Sequence, residues 1–125
     1  GTATRISELG PGRVLEVGCG AGLIMRELLR HCASYHGTDL SAARVRRLRA
    51  LQQQPALQAI HPGLASVQLR HLAAHELRVL PAGCYDTVAL PSVVQYFPSV
   101  SYLSRVLDDV LGHLLAPGGS VFLGD

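Results

Sequence analysis

The stretch that decides the fold is Arg13-Val14-Leu15-Glu16-Val17-Gly18-Cys19-Gly20-Ala21-Gly22. Residues 13–17 form a compact β-branched and apolar run, which predicts a buried strand. After the glycines, apolar residues recur at i, i+3, i+4 and i+7, the spacing of one buried helix face. These residues are Met25, Leu28, Leu29 and Cys32. The sequence therefore predicts a strand, a glycine loop and a helix, in that order.

Further strands and helices alternate along the rest of the chain. Strands are predicted at residues 34–38, 67–72, 85–90 and 120–124, each bounded by turn residues. Ser41 is predicted to cap a second helix, Gln52-Gln53-Gln54 to form a solvated loop, and the Leu103 to Leu114 periodicity a third helix. Five strands alternating with helices predict an α/β fold with a doubly wound, mostly parallel sheet. Ligands of such sheets bind beyond the carboxyl ends of the strands.

Composition limits the classes of protein to which the chain can belong. Its 125 residues are 48% apolar and 16% charged, which predicts one globular domain over residues 1–125. No apolar run approaches the ~18 residues of a membrane span, and no leader pattern is present, so a cytoplasmic protein without a membrane partner is expected. The net charge of +2 does not indicate a nucleic-acid partner. Three scattered cysteines without a CxxC pair argue against disulfides and a zinc site.

The glycine loop indicates a ligand site, and its spacing argues against a dinucleotide. The dinucleotide fingerprint is G-x-G-x-x-G, whereas Leu23 follows Gly22 where the last glycine would stand. Asp39 ends the second predicted strand, where a carboxylate can accept both hydroxyls of a ribose. Three plainer interpretations remain: a tight turn at the glycines, a helix-capping Asp39 and a solvated Glu16.

Three motifs in register carry a resemblance to a known family. They are Val14 to Gly22, then Tyr35-His36-Gly37-Thr38-Asp39-Leu40-Ser41, and then Leu115-Ala116-Pro117-Gly118-Gly119-Ser120-Val121-Phe122. Together they resemble the class I S-adenosylmethionine-dependent methyltransferases. A narrower similarity lies in Ser92-Val93-Val94-Gln95-Tyr96-Phe97-Pro98-Ser99, Tyr102-Leu103 and Phe122-Leu123-Gly124-Asp125. This set is similar to the methyltransferase domains embedded in nonribosomal peptide synthetases and polyketide synthases.

The resemblance implies a cofactor, a fold and a set of binding residues. The cofactor is S-adenosylmethionine, and the fold is a Rossmann-like methyltransferase core that lacks the last two strands of the full domain. Glu16 would orient the loop and the amino group of the methionine moiety, Asp39 would hold the ribose, and Leu40 would pack on the adenine. The loop residues Gly18, Cys19, Gly20 and Gly22 would let the backbone approach the cofactor. Ala74 and Pro91 occupy two further contact positions, where this subfamily usually has an Ala-Asp pair and an asparagine.

The sequence does not identify a catalytic base. Methyl transfer from a sulfonium is an in-line displacement, so the protein mainly supplies proximity and orientation. His71, His75 and Tyr96 lie near the ends of predicted strands, and nothing in their spacing selects among them. The His71–His75 spacing beside Glu76 is a weak zinc pattern, because no helix is predicted around both histidines. The arginines of residues 44–49 are interpreted as a solvated helix face.

The expected acceptor is a small metabolite or a carrier-tethered peptide or polyketide intermediate. Two alternatives remain: an NAD-dependent oxidoreductase half-domain, and a non-catalytic scaffold that retains the fold. An open sheet edge around residues 120–125 is expected to allow self-association or docking, and the chain alone is expected to transfer no methyl group.

Overall fold

The computed structural model describes residues 1–91 and 93–124. Its sheet has five strands in the order β3-β2-β1-β4-β5, and every neighbouring pair is parallel. The strands are β1 (Arg13–Val17), β2 (Ser34–Asp39), β3 (Gln68–His71), β4 (Tyr85–Pro91) and β5 (Leu115–Gly124). The predicted fold class is therefore confirmed. Ser92 and Asp125, which belong to two of the resemblance motifs, lie outside the described residues.

Helices connect the strands and cover both faces of the sheet. They are α1 (Thr2–Glu8), α2 (Leu23–Leu28), α3 (Ala42–Gln52), α4 (Pro55–Ile60) and α5 (Val100–Asp109), which continues into a π-helical segment, Val110–Leu114. Short 3-10 segments lie at Leu64–Ser66, Ala74–Val79 and Val94–Tyr96. In the described part of the chain, none of the helices has both the length and the apolar character that crossing a membrane requires.

The side-chain alternation along β1 divides the core into two. Val14 packs with α2 and α3 on one face of the sheet, in a cluster that includes Met25 and Leu48. Leu15 and Val17 pack on the other face with Val106 and the rest of the α5 side. Because both faces are covered, the apolar residues Val14, Leu15 and Val17 of β1 are buried on both sides of the sheet.

The structure corrects several predicted boundaries. The helix predicted to reach Cys32 ends at Leu28, and β5 begins at Leu115 rather than at residue 120, with an irregular register against β4 between Tyr85 and Thr87. The glutamine run is a solvated loop only in part, because Gln53 and Gln54 are exposed after the end of α3, whereas Gln52 is buried within that helix. Gln52 is 8% exposed, and its amide nitrogen donates to the carbonyls of Leu64 (2.9 Å) and Val67 (2.7 Å).

Candidate functional site

A cleft lies where the strand order reverses, beyond the carboxyl ends of β1, β2 and β4. Its larger part is a cavity of about 500 Å³ lined by Gly18, Gly20, Asp39, Leu40, Arg44, Pro91, Val93 and Tyr96. Its smaller part, of about 280 Å³, shares Gly18, Leu40, Val93 and Tyr96 and adds Leu72, Ala74, His75 and Tyr102, among others. We refer to the two parts together as the cleft. Open α/β sheets bind ligands at such a switch point.

Backbone hydrogen bonds hold the glycine loop in place over the end of β2. The amides of Gly18 and Cys19 donate to the carbonyl of Thr38 at 2.9 and 2.8 Å. Gly20 has φ +54°, and no atom lies within 4 Å of the position that a Cβ there would take. The backbone conformation therefore favours a glycine at this position, and the space beside it is open.

Asp39 joins the glycine loop to the start of α3. Its Oδ2 accepts from the amide of Gly20 at 2.9 Å, and its Oδ1 accepts from the amide of Ser41 at 2.8 Å. The cap of α3 is Ser41, whose hydroxyl accepts from the amide of Arg44 at 3.2 Å. Because each carboxylate oxygen has a second lone pair, Asp39 can still accept hydrogen bonds from a ligand in the cleft.

Glu16 is buried beneath the loop and does not belong to the lining found for the cleft. It is 2% exposed, and the hydroxyl of Tyr35 donates to its Oε1 at 2.5 Å. Burial raises the pKa of Glu16 to about 7; the hydrogen bond from Tyr35 opposes this shift, and the negative charge of Asp39 adds to it. The interpretation of Glu16 as a solvated carboxylate is therefore wrong.

This raised pKa predicts that stability depends on pH. Between about pH 4.5 and 7 the folded chain holds a proton on Glu16 that the unfolded chain has lost, so the stabilisation is complete at low pH and is lost as pH rises through 7. We expect the Glu16 contribution to the free energy of unfolding to fall by about 2 to 3 kcal/mol between pH 5 and 8. Urea denaturation of the wild type and of Glu16→Gln measures it. Identical pH profiles for the two proteins would contradict the assignment.

The other two loop residues lie beside the cleft rather than in its lining. Cys19 is buried against Gly37, and burial raises the pKa of its thiol to about 12, which argues against a nucleophile. Gly22 lines a separate cavity of about 250 Å³ on the α2 side, and a Cβ there would lie 3.0 Å from Met25 and 3.1 Å from Leu48. Cys19 and Gly22 therefore pack on the side of the loop that faces away from the cleft.

The smaller part of the cleft has a polar contact that sequence reasoning missed. The amide of His75 donates to the hydroxyl of Tyr102 at 3.2 Å, and the same hydroxyl lies 3.0 Å from Nδ1 of His75. The ring of Phe97 packs edge-on against Tyr102 with the centroids 4.8 Å apart. The sequence shows Tyr102 only as part of a motif, because its contact with residue 75 depends on how α5 packs.

The remaining candidates are the two histidines of the weak zinc pattern and the arginines of α3. Nε2 of His71 lies 2.8 Å from the carbonyl of Leu40, so His71 and His75 have different partners. In residues 1–91 and 93–124, no three His, Cys, Asp or Glu side chains are grouped closely enough to hold a metal ion. Arg44 lines the cleft instead of being only part of a solvated face, and Arg49 donates to the carbonyl of Leu69 at 2.7 Å.

Comparison with known families agrees with this geometry. The family model described as a methyltransferase domain matches residues 15–121, from β1 into β5. The chain belongs to the methyltransferase domain family. The resemblance to a methyltransferase family that the sequence motifs carry is thereby confirmed at the level of the domain.

Relatives of this methyltransferase domain include parts of very large enzymes. It is 43% identical over 121 residues to the probable non-canonical nonribosomal peptide synthetase CymA of Salinispora arenicola, covering 97% of this chain and 2% of that protein. It is 40% identical over 124 residues to the chondramide synthase cmdD of Chondromyces crocatus, covering 99% of this chain and 3% of that protein. The chain thus spans a few hundredths of the length of these two relatives.

The solved structures establish the fold. The N-methyltransferase NodS of Bradyrhizobium japonicum, in complex with S-adenosyl-L-homocysteine, superimposes with a TM-score of 0.76 at 19% identity. The match covers 97% of this chain and 57% of that one.

Proposed function

We propose that this methyltransferase domain binds S-adenosylmethionine in the cleft and methylates a carrier-tethered intermediate of a cytoplasmic nonribosomal peptide synthetase. The observation that carries the proposal is the continuity of the two parts of the cleft, with Asp39 at one part and an apolar recess at the other. A nucleoside with an attached amino-acid chain requires this combination: a carboxylate for the ribose, apolar surfaces for the base and open backbone for the chain.

Each part of the cleft has a distinct role in this proposal. Asp39 accepts from the ribose hydroxyls, Leu40 and Ala74 pack against the adenine, and the open backbone of Gly18 and Gly20 lies along the methionine chain. Pro91 and Tyr96 border the reacting end. S-adenosylmethionine supplies an electrophilic methyl group on a sulfonium, so the domain has mainly to exclude water and align the acceptor.

Two features argue against the alternatives. An NAD-dependent oxidoreductase half-domain would need a third glycine where Leu23 begins α2. A scaffold that has lost cofactor binding would not be expected to retain glycines at φ +81° and +54° next to a buried carboxylate that lines a cavity.

Titration calorimetry tests the cofactor. We expect S-adenosylmethionine and S-adenosylhomocysteine to bind with one-to-one stoichiometry, and NAD to give no heat at the same concentrations, because the loop lacks the dinucleotide spacing. Binding of NAD alone would favour the oxidoreductase. Binding of none of the three would favour the scaffold.

Mass spectrometry of candidate acceptors tests the substrate class. In the protein that contains this domain, an aminoacyl group held as a pantetheine thioester on its carrier should gain 14 mass units, one methyl group in place of a proton. The matched free amino acid should gain none, since a tethered acceptor has a high effective concentration. Equal methylation of the two would reassign the acceptor to a free metabolite.

We also propose that β5 pairs with a second polypeptide. Its hydrogen-bonded neighbour in the described sheet is β4, and Leu123 on β5 is 52% exposed. Unpaired strand edges attract other strands, and lysine on an edge opposes this pairing.

We expect Leu123→Lys to lower self-association in sedimentation velocity. Leu111→Lys, which changes an exposed residue of the π-helical segment, should not lower it. A wild-type chain that is monomeric at all concentrations would contradict the proposal. Asp125, the last residue of the predicted edge, lies outside the described residues.

A further inference from the structure

A second recess lies on the face of the domain that α2, α3 and α4 form. One part is the cavity of about 250 Å³ that Gly22 lines, and the other is a cavity of about 220 Å³ that Gly20 lines. The two parts adjoin, because both are lined by Ala21, Leu48 and Leu51. We refer to them together as the basic groove. Its apolar lining consists of Met25, Leu29, Leu48, Leu51, Leu57 and Leu64.

Arginines border the basic groove without carboxylate partners. Arg26 lines one part of it, Arg44 and Arg47 line the other, and all three are exposed. Among the described residues, the ion pair found is Arg78–Asp109, which involves none of them. Residues 20–64 contain six of the chain's eleven arginines and only two of its nine carboxylates. The positive charge of the domain is therefore concentrated in the segment that forms the groove.

The depth of the apolar lining limits what can bind there. Met25, Leu29 and Leu48 are each 9% exposed or less, whereas Leu51 at the rim is 36% exposed. A flat membrane surface would contact the arginines without reaching the buried residues, so a ligand needs protruding apolar groups. In the described part of the chain, the groove is lined by no Phe, Tyr or Trp, the residues on which single-stranded nucleic acids stack. A protein ligand is therefore favoured.

The elements around the groove favour a helical ligand. Strand addition requires an unpaired strand edge, whereas this groove is bordered by side chains of helices and of the loops beside them. A helix satisfies its own backbone hydrogen bonds and inserts apolar side chains at i, i+3 or i+4, and i+7 into such a groove. Carboxylates beside that apolar stripe would face Arg26, Arg44 and Arg47, which gives the complementary charge.

We propose that the basic groove docks an acidic amphipathic helix from another part of the same long polypeptide. The inference rests on the proposed function only in placing this domain within a nonribosomal peptide synthetase. The chain covers 2% and 3% of the two synthetases to which it is compared above, so most of each of those polypeptides lies outside the corresponding domain.

The position of the groove leaves one end of the cleft free. Gly20 and Arg44 line both the groove and the cleft, so the two adjoin at the Asp39 end. Pro91 and Tyr96 line the cleft and not the groove. A helix in the groove would therefore hold the domain within the synthetase while the acceptor still reaches the Pro91–Tyr96 end.

A synthetic peptide tests whether the groove binds such a helix. The probe is a fluorescent helix of about five turns, with leucine at i, i+3 or i+4, and i+7 and glutamate on both sides of that stripe. We expect fluorescence anisotropy to show binding to the 125-residue chain at an ionic strength of about 0.15 M. Two control peptides should bind at least about tenfold more weakly: one with lysine in place of glutamate, and one of the same composition in a permuted order that has no apolar stripe. Equal binding of the permuted peptide would show only a diffuse basic surface and would overturn the inference.

Arg47→Glu and Arg46→Glu form a matched pair of variants. Both residues are exposed on α3, and both variants change the net charge equally, but only Arg47 lines the groove. We expect Arg47→Glu to weaken binding of the acidic peptide about tenfold and Arg46→Glu less than about twofold. Equal effects of the two variants would contradict docking in the groove.

A second pair of variants tests the apolar contact. Leu51→Ala should weaken peptide binding about fivefold, because Leu51 lines both parts of the groove. Leu23→Ala is the control, since Leu23 is 63% exposed and lines neither part. Neither Arg47 nor Leu51 lines the cleft, so their variants should keep the wild-type affinity for S-adenosylmethionine, which also shows that they are folded. Wild-type peptide affinity in folded Leu51→Ala would contradict insertion of the helix.

Cross-linking in the protein that contains this domain identifies the occupant. Leu51→benzoylphenylalanine places a photoreactive group in the groove, and labelled and unlabelled copies of the protein are mixed before irradiation. We expect cross-linked peptide pairs of uniform isotope content that join the groove to an acidic amphipathic segment. Pairs of mixed isotope content, which indicate a second copy, or the absence of a cross-linked peptide would overturn the inference. Loss of peptide binding and cross-linking with cofactor binding retained leaves the proposed function intact, whereas docking without cofactor binding would overturn only the proposed function.

Discussion

Replacing Gly20 by valine should abolish measurable binding of S-adenosylmethionine and leave a folded domain. Gly20 lines the cleft at φ +54°, and nothing in the protein lies within 4 Å of an added Cβ. The valine side chain would therefore occupy space that the ligand needs, without a clash inside the protein. The left-handed backbone adds a cost of about 1 to 3 kcal/mol to folding for a β-branched residue. Calorimetry with both adenosyl ligands and thermal unfolding of the same preparation measure the two effects.

Gly83→Val is the matched control for this substitution. Gly83 has φ +63°, an added Cβ there also finds no atom within 4 Å, and it lies in the turn before β4 at the other end of the sheet. Both variants should lose a similar amount of stability, and only the Gly20 variant should lose the ligand. If the two bind equally well, the glycine loop is only a tight turn.

The fold could be predicted because its determinants are local. β1 is buried on both faces, so its apolar run and the glycines after it identify the first β-α unit without knowledge of the partners. The predicted bounds of β1 match the structure, and those of β2 and β4 differ by one residue. Turn residues and short apolar runs are sufficient to place the remaining strands along the chain, apart from the start of β5.

The features that the sequence did not predict depend on tertiary contacts. α1 has too few residues for a clear period, and it is anchored by Ala3 and Ile6 against the core. Gln52 resembles a solvated residue in any local window, yet it satisfies carbonyls that lie twelve and fifteen residues further along the chain. β5 starts early because Leu115 pairs with Tyr85 before the Pro-Gly-Gly irregularity. None of these contacts has a local sequence signal.

The residues of the candidate site also divide into those that the sequence predicts and those whose contacts depend on the tertiary structure. Gly18, Gly20, Asp39, Leu40, Ala74 and Pro91 all line the cleft, because each follows or ends a strand whose carboxyl end is predictable. Glu16 alternates with Leu15 and Val17, so its side chain lies on the α2 face under the loop. Its partner Tyr35 is diagonal to it, since Glu16 is in register with Gly37, and that register is not visible in the sequence.

Asp39→Ala should weaken S-adenosylmethionine binding by more than tenfold. If Asp39 accepts both ribose hydroxyls, the variant loses two charge-assisted hydrogen bonds of about 1.5 to 3 kcal/mol each. It also leaves the amides of Gly20 and Ser41 without their acceptor, so we expect stability to fall by about 2 kcal/mol or more.

Asp86→Ala is the matched control, because Asp86 accepts from the amides of Gly12 (3.0 Å) and Arg13 (2.8 Å) at the amino end of β1. Chemical denaturation should show similar losses of stability for the two variants, and calorimetry a loss of affinity for Asp39→Ala alone. Unaltered affinity in folded Asp39→Ala would reduce Asp39 to a support for the loop, whereas an equal loss of affinity in Asp86→Ala would attribute the effect to stability rather than to the ribose.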